Sequence, residues 1–387
     1  MSTLTCASEY FTMRSVMEMR FEEMIGGGEM QVPGLGVIVY KGGREVFSKF
    51  LGDRIVGSKP ITRETRFRAA SVSKMFTAFG IMQLVERNAI DLDEEADRYL
   101  QFRLRNPNQA RKKITVRMLL DHTSSIRDGE DFFAPIDQKI GEYFCYCNLN
   151  YCLLGTIIEN VTGERFDLYQ KRNILQPLDM RADYVPANLD REAFEMLGTL
   201  YRRSPRGEWF GTTDDYRGVQ PSSDLSDYEI GSDATIFAPQ GGLRISFEEM
   251  THALEMLMNG GEFRGRRILS RESIEEMLKP QWIFDPKLGN GDTYDGVMLS
   301  YGLGVYQIDG RSSARMCRDR EIDLIGHTGV AHGMFSGIFF RPNSGDGFVY
   351  MMNGSPLDEE IDPRARGEFS GNYIFEERVT DALCRML

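Results

Sequence analysis

Apolar side chains recur at helical spacing through residues 9–24, and the pattern stops at Gly26-Gly27-Gly28. That predicts a first helix closed by glycines. Leu35 to Tyr40 is a continuous apolar run of strand length, so it reads as a buried strand. Lys41-Gly42-Gly43 is a turn signal, and Val46 to Phe50 pairs back as a hairpin. From Ala70 to Val85 the chain is apolar on nearly every side, which at this length predicts a buried helix. The pattern stays helical and loop-rich to about residue 235. Within it, Tyr201 to Ser232 is a polar stretch rich in Gly, Pro, Ser and Asp, expected to be a long functional or mobile loop. Phe247 to Asn259 and Ser270 to Leu278 predict helices. Strand signals return at Tyr301 to Gln307, Met334 to Phe340 and Phe348 to Met352, with Arg341 to Gly347 turning between the last two. Phe375 to Met386 predicts a closing helix. No repeat or low-complexity tract interrupts this order.

Strands at both ends and helices between them predict an α+β fold. Residues 1–70 and 236–387 form one α/β domain, and residues 71–235 form an inserted, mainly helical domain. The cleft between the two is the expected place for a site.

Composition narrows the function. The chain has 387 residues, enough for a large core, and a formal net charge of −12. Such acidity argues against nucleic acid and against anionic membrane surfaces as partners. No apolar run approaches the roughly 18–20 residues of a membrane span. Met1 to Arg20 lacks the basic start and apolar stretch of a secretory signal. Six cysteines are too few for a disulfide framework in a chain this long. The expectation is a reduced, cytoplasmic protein; removal of a leader would make it periplasmic or secreted.

Several common catalytic signatures are absent: no G-x-S-x-G, no H-E-x-x-H and no phosphate-binding G-x-x-x-x-G-K-[ST]. His122, His252, His327 and His332 are not at metal-ligand spacing. Cys145, Cys147 and Cys152 lie close together without an evident fourth ligand, so buried thiols are expected there. Neither a metal nor an organic cofactor is expected.

Ser71-Val72-Ser73-Lys74 opens the buried helix. Positions i and i+3 share a helix face, which sets Lys74 beside Ser71. Burial lowers a lysine's pKa, and a lysine so tuned can take a proton from a serine hydroxyl. The helix N-terminus offers free N–H groups to a developing oxyanion. The same residues also read as an N-cap serine and a lysine snorkelling to the surface. Tyr146-Cys147-Asn148 is a second candidate. A tyrosine near an ammonium can be held as phenolate or can shuttle protons, and Asn148 can hydrogen-bond an amide. The plainer alternative is a loop tyrosine and a helix-capping asparagine. His327-Thr328-Gly329 leads into an apolar strand. It suits the wall of a substrate cleft, or it is only a strand-start turn.

These three motifs, in this order, resemble the serine β-lactamase and penicillin-binding-protein superfamily. The nearest look is its class C β-lactamase-like branch, which includes DD-carboxypeptidases, D-aminopeptidases, esterases and the CubicO group. The branch pattern is S-x-x-K, Y-x-N and [KH]-[TS]-G. The likeness spans roughly residues 30 to 355 and takes in Thr65 to Lys74, Ile81 to Glu86, Ile114 to Ser124, Gly241-Gly242-Leu243 and Tyr301 to Gly304. It implies an antiparallel sheet flanked by N- and C-terminal helices, plus the inserted helical domain. It implies a serine hydrolase working through a covalent acyl-enzyme on amides or esters.

By resemblance, Ser71 is the nucleophile, Lys74 activates it, and Tyr146 is general base and acid. Asn148 binds the acyl-side amide. Ser71 and Val330 supply the oxyanion-hole N–H groups. His327, with Thr328 and Gly329, either supports Tyr146 electrostatically or only shapes the cleft. The implied partner is a small-molecule or short-peptide substrate, with β-lactams as covalent inhibitors; oligomeric state is not encoded. The departures matter. His327 stands where class C β-lactamases usually have lysine, which leans away from efficient β-lactam hydrolysis. Val330 lacks the hydroxyl that holds a carboxypeptidase substrate's carboxylate, which favours neutral amides or esters. Ser125 and Asn150 stand where glycines are usual, and Asn150 is expected to tolerate a left-handed backbone. Cys147 replaces a serine. A weak β-lactamase and a non-catalytic penicillin-binding-like protein are the alternatives.

Overall fold

The computed structural model describes residues 18–357 and 362–387. A nine-stranded sheet dominates it, with every neighbouring pair antiparallel. From one edge it runs Trp282–Ile283, Ser300–Tyr301, Tyr306–Ile308, Leu324–Ala331, Met334–Phe340, Gly347–Met352, Gly34–Lys41, Arg44–Ile55 and Lys59–Pro60. The central strands are apolar on both faces, so both faces must be covered. Phe335, Phe339, Phe348 and Tyr350 pack against Phe375, Val379 and Leu383 of the C-terminal helix Ile374–Cys384. Ile38, Ile338, Val349 and Met351 face Phe247, Met250 and Leu254 of the helix Phe247–Met258. Ser246 and Glu249 form a reciprocal capping box that fixes where this second helix starts.

The helix Ser73–Glu86 is buried from Ser73 to Leu84. Its all-round apolarity follows from its position, with Asn148–Thr162 and Phe166–Gln170 packed against it. Of the helix expected over residues 9–24, residues 18–23 are helical and 9–17 lie outside the described residues. The strand expected over 301–307 is two short strands, because Gly304 takes a φ of +78° and turns the chain between them. The polar stretch expected as one loop over 201–232 begins with a hairpin, Leu200–Arg203 with Trp209–Thr213. Gly354–Ser355 joins that hairpin in parallel, so the stretch is tied to the end of the sheet. Among the described residues no helix is long and apolar enough to cross a membrane.

Thr328, Gly337 and Tyr350 are registered side by side on three consecutive strands. A Cβ on Gly337 would lie 2.4 Å from the Tyr350 ring, so the missing side chain is what lets that ring lean across the middle strand. Gly337→Ala is expected to destabilise the fold by about 1–3 kcal/mol, as overpacking does. A denaturant titration that leaves the midpoint unchanged would show that Tyr350 can move aside freely.

Candidate active site

The turn that carries Ser71 is tightly held. Arg66–Arg68 pairs with Arg244–Ser246, and the Ala69 N–H donates to Leu243 O at 2.9 Å. Ala70 then takes a φ of +47°, a left-handed conformation that costs a non-glycine residue about 1 kcal/mol or more. Ser73 Oγ donates to Ala70 O at 2.7 Å, and Ser336 Oγ donates to Ala69 O at 2.8 Å, which pins the strained turn from both sides. Ala70–Val72 forms a single 3-10 turn, and the α-helix begins only at Ser73. Ser71 therefore stands on a bend just before the helix and does not cap it through its side chain. Gly329 explains how the sheet approaches this bend. A Cβ there would lie 2.4 Å from Ala69 O, 2.5 Å from Ser336 Oγ and 3.0 Å from Ser71 N.

Lys74 does not snorkel. It is fully buried, and its Nζ lies 3.1 Å from Ser71 Oγ, 2.8 Å from Asn148 Oδ1 and 3.0 Å from Gln240 O. It also sits 4.7 Å from the centre of the Tyr146 ring. Two of the three oxygens can only accept, whereas the serine hydroxyl can accept or donate. An ammonium would donate to all three. A neutral amine would donate to Asn148 and Gln240 and receive the proton of Ser71. Burial pulls the pKa down to about 7, so the neutral form is well populated near neutral pH.

Tyr146 and Asn148 enter from the start of the helix Asn148–Thr162. The Tyr146 hydroxyl is buried near the Ser71 hydroxyl, and among the described residues it makes no hydrogen bond of normal geometry. Burial drives its pKa far up, with the adjacent Ser71 hydroxyl pulling the other way, so the resting side chain is a phenol. Asn148 is the first helical residue and not its cap. The cap comes from Asp128, which accepts from the backbone N–H of Asn148 at 2.8 Å and of Leu149 at 3.1 Å. Asp128 also accepts from Asn148 Nδ2 at 2.9 Å, which turns the amide so that its oxygen faces Lys74. No sequence pattern pointed to Asp128, since its partners lie some twenty residues away.

His122 was another residue whose role sequence reasoning missed. Its ring is buried 4.4 Å from the Tyr146 ring, and its Nδ1 accepts from the Cys147 N–H at 3.1 Å. Asn150 is helical and does not take a left-handed backbone, contrary to expectation. Its Oδ1 accepts from Ser124 Oγ at 2.7 Å, and the left-handed residue is Ser125, with a φ of +69°.

His327, Thr328 and Gly329 lie inside the strand Leu324–Ala331 rather than ahead of it. His327 Nδ1 faces the carbonyl of Thr328, so it must carry the proton; Nε2 then accepts from Tyr301 Oη at 2.9 Å. Burial and the nearby Lys74 push the imidazole down to about 3, so His327 is neutral. Its ring shapes the cleft and supplies no charge to Tyr146. Thr328 Oγ1 accepts from Tyr306 Oη at 3.2 Å.

Ser71, Tyr146, Asn148, His327, Thr328 and Val330 all line one cavity of about 790 Å³. Of the polar stretch 201–232, Arg202 alone lines it; the other walls include residues from 294–298 and 366–376. Cys145, Cys147 and Cys152 have separate partners, namely Arg127, Asp128 and Gln240. Among the described residues no three His, Cys, Asp or Glu side chains converge as metal ligands.

A large antiparallel sheet beside a buried helix whose Lys74 reaches a serine on the turn before it is an architecture of the active-site-serine, β-lactamase-like class of folds. The chain belongs to the beta-lactamase family, whose model matches residues 19–370. Protein flp of Staphylococcus aureus strain MRSA252 is 27% identical over 187 residues, covering 43% of this chain and 38% of that protein. The alignments to flp from other strains likewise cover little more than a third of it. The octameric penicillin-binding protein homologue from Pyrococcus abyssi is 26% identical with a TM-score of 0.65, over 90% of this chain and 74% of that one. D-amino acid amidase from Ochrobactrum anthropi SV3 superimposes with a TM-score of 0.66 at 21% identity, over 97% and 99% of the two chains.

Asp128→Ala removes a helix cap and frees the Asn148 amide to rotate. We expect a stability loss of about 1 kcal/mol, together with a fall in acyl transfer of about tenfold or more, the loss expected when a polar positioning contact is removed. Unaltered turnover in a variant of lowered thermal midpoint would show that Asp128 serves the helix alone.

Proposed function

We propose that the protein is a serine hydrolase that cleaves amides or esters through an acyl-enzyme on Ser71. The observation that carries this reading is the fully buried Lys74 amine within hydrogen-bonding distance of Ser71 Oγ. Neutral Lys74 takes the proton as Ser71 Oγ attacks the carbonyl carbon. The backbone N–H groups of Ser71 and Val330 receive the oxyanion, and Asn148 steadies the acyl side. As the tetrahedral intermediate collapses, the unpaired Tyr146 hydroxyl gives its proton to the leaving group. Water then attacks the acyl-enzyme and loses a proton to the Tyr146 oxygen. Ser71 recovers its proton from the Lys74 ammonium, which restores both groups.

Val330, with no hydroxyl to hold a carboxylate, favours neutral amides or esters over the carboxylate-bearing substrates of penicillin-sensitive carboxypeptidases, and His327 in place of lysine leans away from efficient β-lactam hydrolysis. That supports an esterase or a peptidase/amidase ahead of an efficient β-lactamase. Among the described residues the five cysteines are free thiols, which suits the reducing cytoplasm.

Incubation with p-nitrophenyl acetate, and separately with benzylpenicillin, followed by intact mass, is expected to show acylation at Ser71. Ser71→Ala should fold normally and form no adduct; a folded Ser71→Ala protein that still turns over the ester would refute the assignment. The kcat/KM for a neutral ester should rise with pH through an apparent pKa near 7, because deprotonation of Lys74 creates the base. A flat profile between pH 5.5 and 8.5 would remove Lys74 from that role.

A further inference from the structure

The cavity has an acidic wall that the reaction above does not use. Glu376 stands in the first turn of the helix Ile374–Cys384 and lines the same cavity as Ser71 and Thr328. It is 2% exposed, yet it has no basic partner among the described residues. Among the described residues its carboxyl takes one hydrogen bond, from Tyr350 Oη to Oε1 at 2.8 Å. Tyr350 reaches it only because Gly337 leaves room for the ring to lean over the middle strand, toward Thr328. The carboxyl is thereby set on the sheet face that bears the Thr328 and Tyr306 hydroxyls, which bond each other at 3.2 Å. Burial lifts it to about 8 against the lowering pull of the Tyr350 hydroxyl, so near neutral pH the carboxyl rests largely protonated and ionises when a cation arrives.

Burying an unpaired acid costs stability, and buried acids are normally paired. Tyr350 donates to one oxygen, and among the described residues no group bonds the other. The other acid on the cavity wall, Asp295, is ion-paired with Arg366 at 2.8 Å at the mouth. Glu376 is therefore the acid with capacity to spare.

We propose that Glu376 is a specificity-determining residue that binds a substrate ammonium group, so that the preferred substrates are amino-bearing esters or amides. This rests on the serine-hydrolase reading. An entering ammonium would supply the missing donor and cation, with Thr328 Oγ1 and Tyr306 Oη as its polar neighbours. A substrate carboxylate in the same place would oppose that ionisation and bring no cation, and so be disfavoured.

The test compares matched esters with wild-type protein. One series is p-nitrophenyl esters whose acyl chains end in ammonium, methyl or carboxylate. The other is acetate esters of amino alcohols against their alkyl isosteres. In at least one series the ammonium member should exceed its methyl isostere in kcat/KM by about tenfold or more, the discrimination one charged hydrogen bond supports. The carboxylate member should rank last. Glu376→Gln keeps an acceptor for Tyr350 and should collapse the ammonium-to-methyl ratio toward one. Glu376→Lys should lift the carboxylate member above the ammonium member. A ratio within twofold of one in wild-type protein, in both series, overturns the proposal and needs no variant. So does a preference that Glu376→Gln leaves intact. If no ester in either series is hydrolysed in a Ser71-dependent way, the hydrolase reading fails first, and the proposal falls with it.

Discussion

Everything at the site depends on keeping one amine dry. A lysine side chain is costly to bury, and the surrounding chain is arranged to meet that cost. Asn148 and the carbonyl of Gln240 take two of its hydrogens, and Ser71 completes the set. Each partner comes from a different segment, so the amine joins the nucleophile turn, the helix at 148 and the loop before residue 241. Tyr146 and Tyr151 close over it with their rings. The same enclosure that brings its pKa near neutrality also keeps the resting Tyr146 a phenol and His327 uncharged. One desolvated pocket thus sets three protonation states.

Close backbone approach is the second requirement. The strand 324–331 can lie against the Ser71 turn because Gly329 has no side chain, and Ala70 accepts a strained conformation to present the serine. Side-chain hydroxyls of Ser73 and Ser336 hold that geometry. Position therefore comes from packing and short-range bonds, and a substrate finds the groups already placed.

How much of this could be read from the chain varies with the range of the interaction. The long central strands and the helix after Ser71 were legible, since their apolar runs are local signals. The Ser71–Lys74 pair was legible from its i, i+3 spacing, although Ser71 stands on the turn before the helix. Whether Lys74 was buried or snorkelled stayed open in the sequence, and the fold buries it completely. What could not be read were contacts between distant segments. Asp128 looks like any loop aspartate until the helix at 148 is set beside it. Glu376 looks like a surface acid on an amphipathic helix until the sheet is folded against it. The handedness expected at Asn150 was misplaced for a similar reason: the glycine-like backbone belongs to Ser125, across a hydrogen bond from the Asn150 neighbourhood. The cavity wall at 294–298 and 366–376 is likewise a product of tertiary closure.

The unpaired Tyr146 hydroxyl has a consequence for the whole molecule. A buried polar group without a partner lowers stability by about 1–3 kcal/mol. Any occupant that bonds the hydroxyl relieves that loss, so occupancy of the site and resistance to heat are thermodynamically linked. Selection for stability alone would favour phenylalanine at this position and silence the site. The tyrosine marks a place where this fold holds stability in reserve for chemistry.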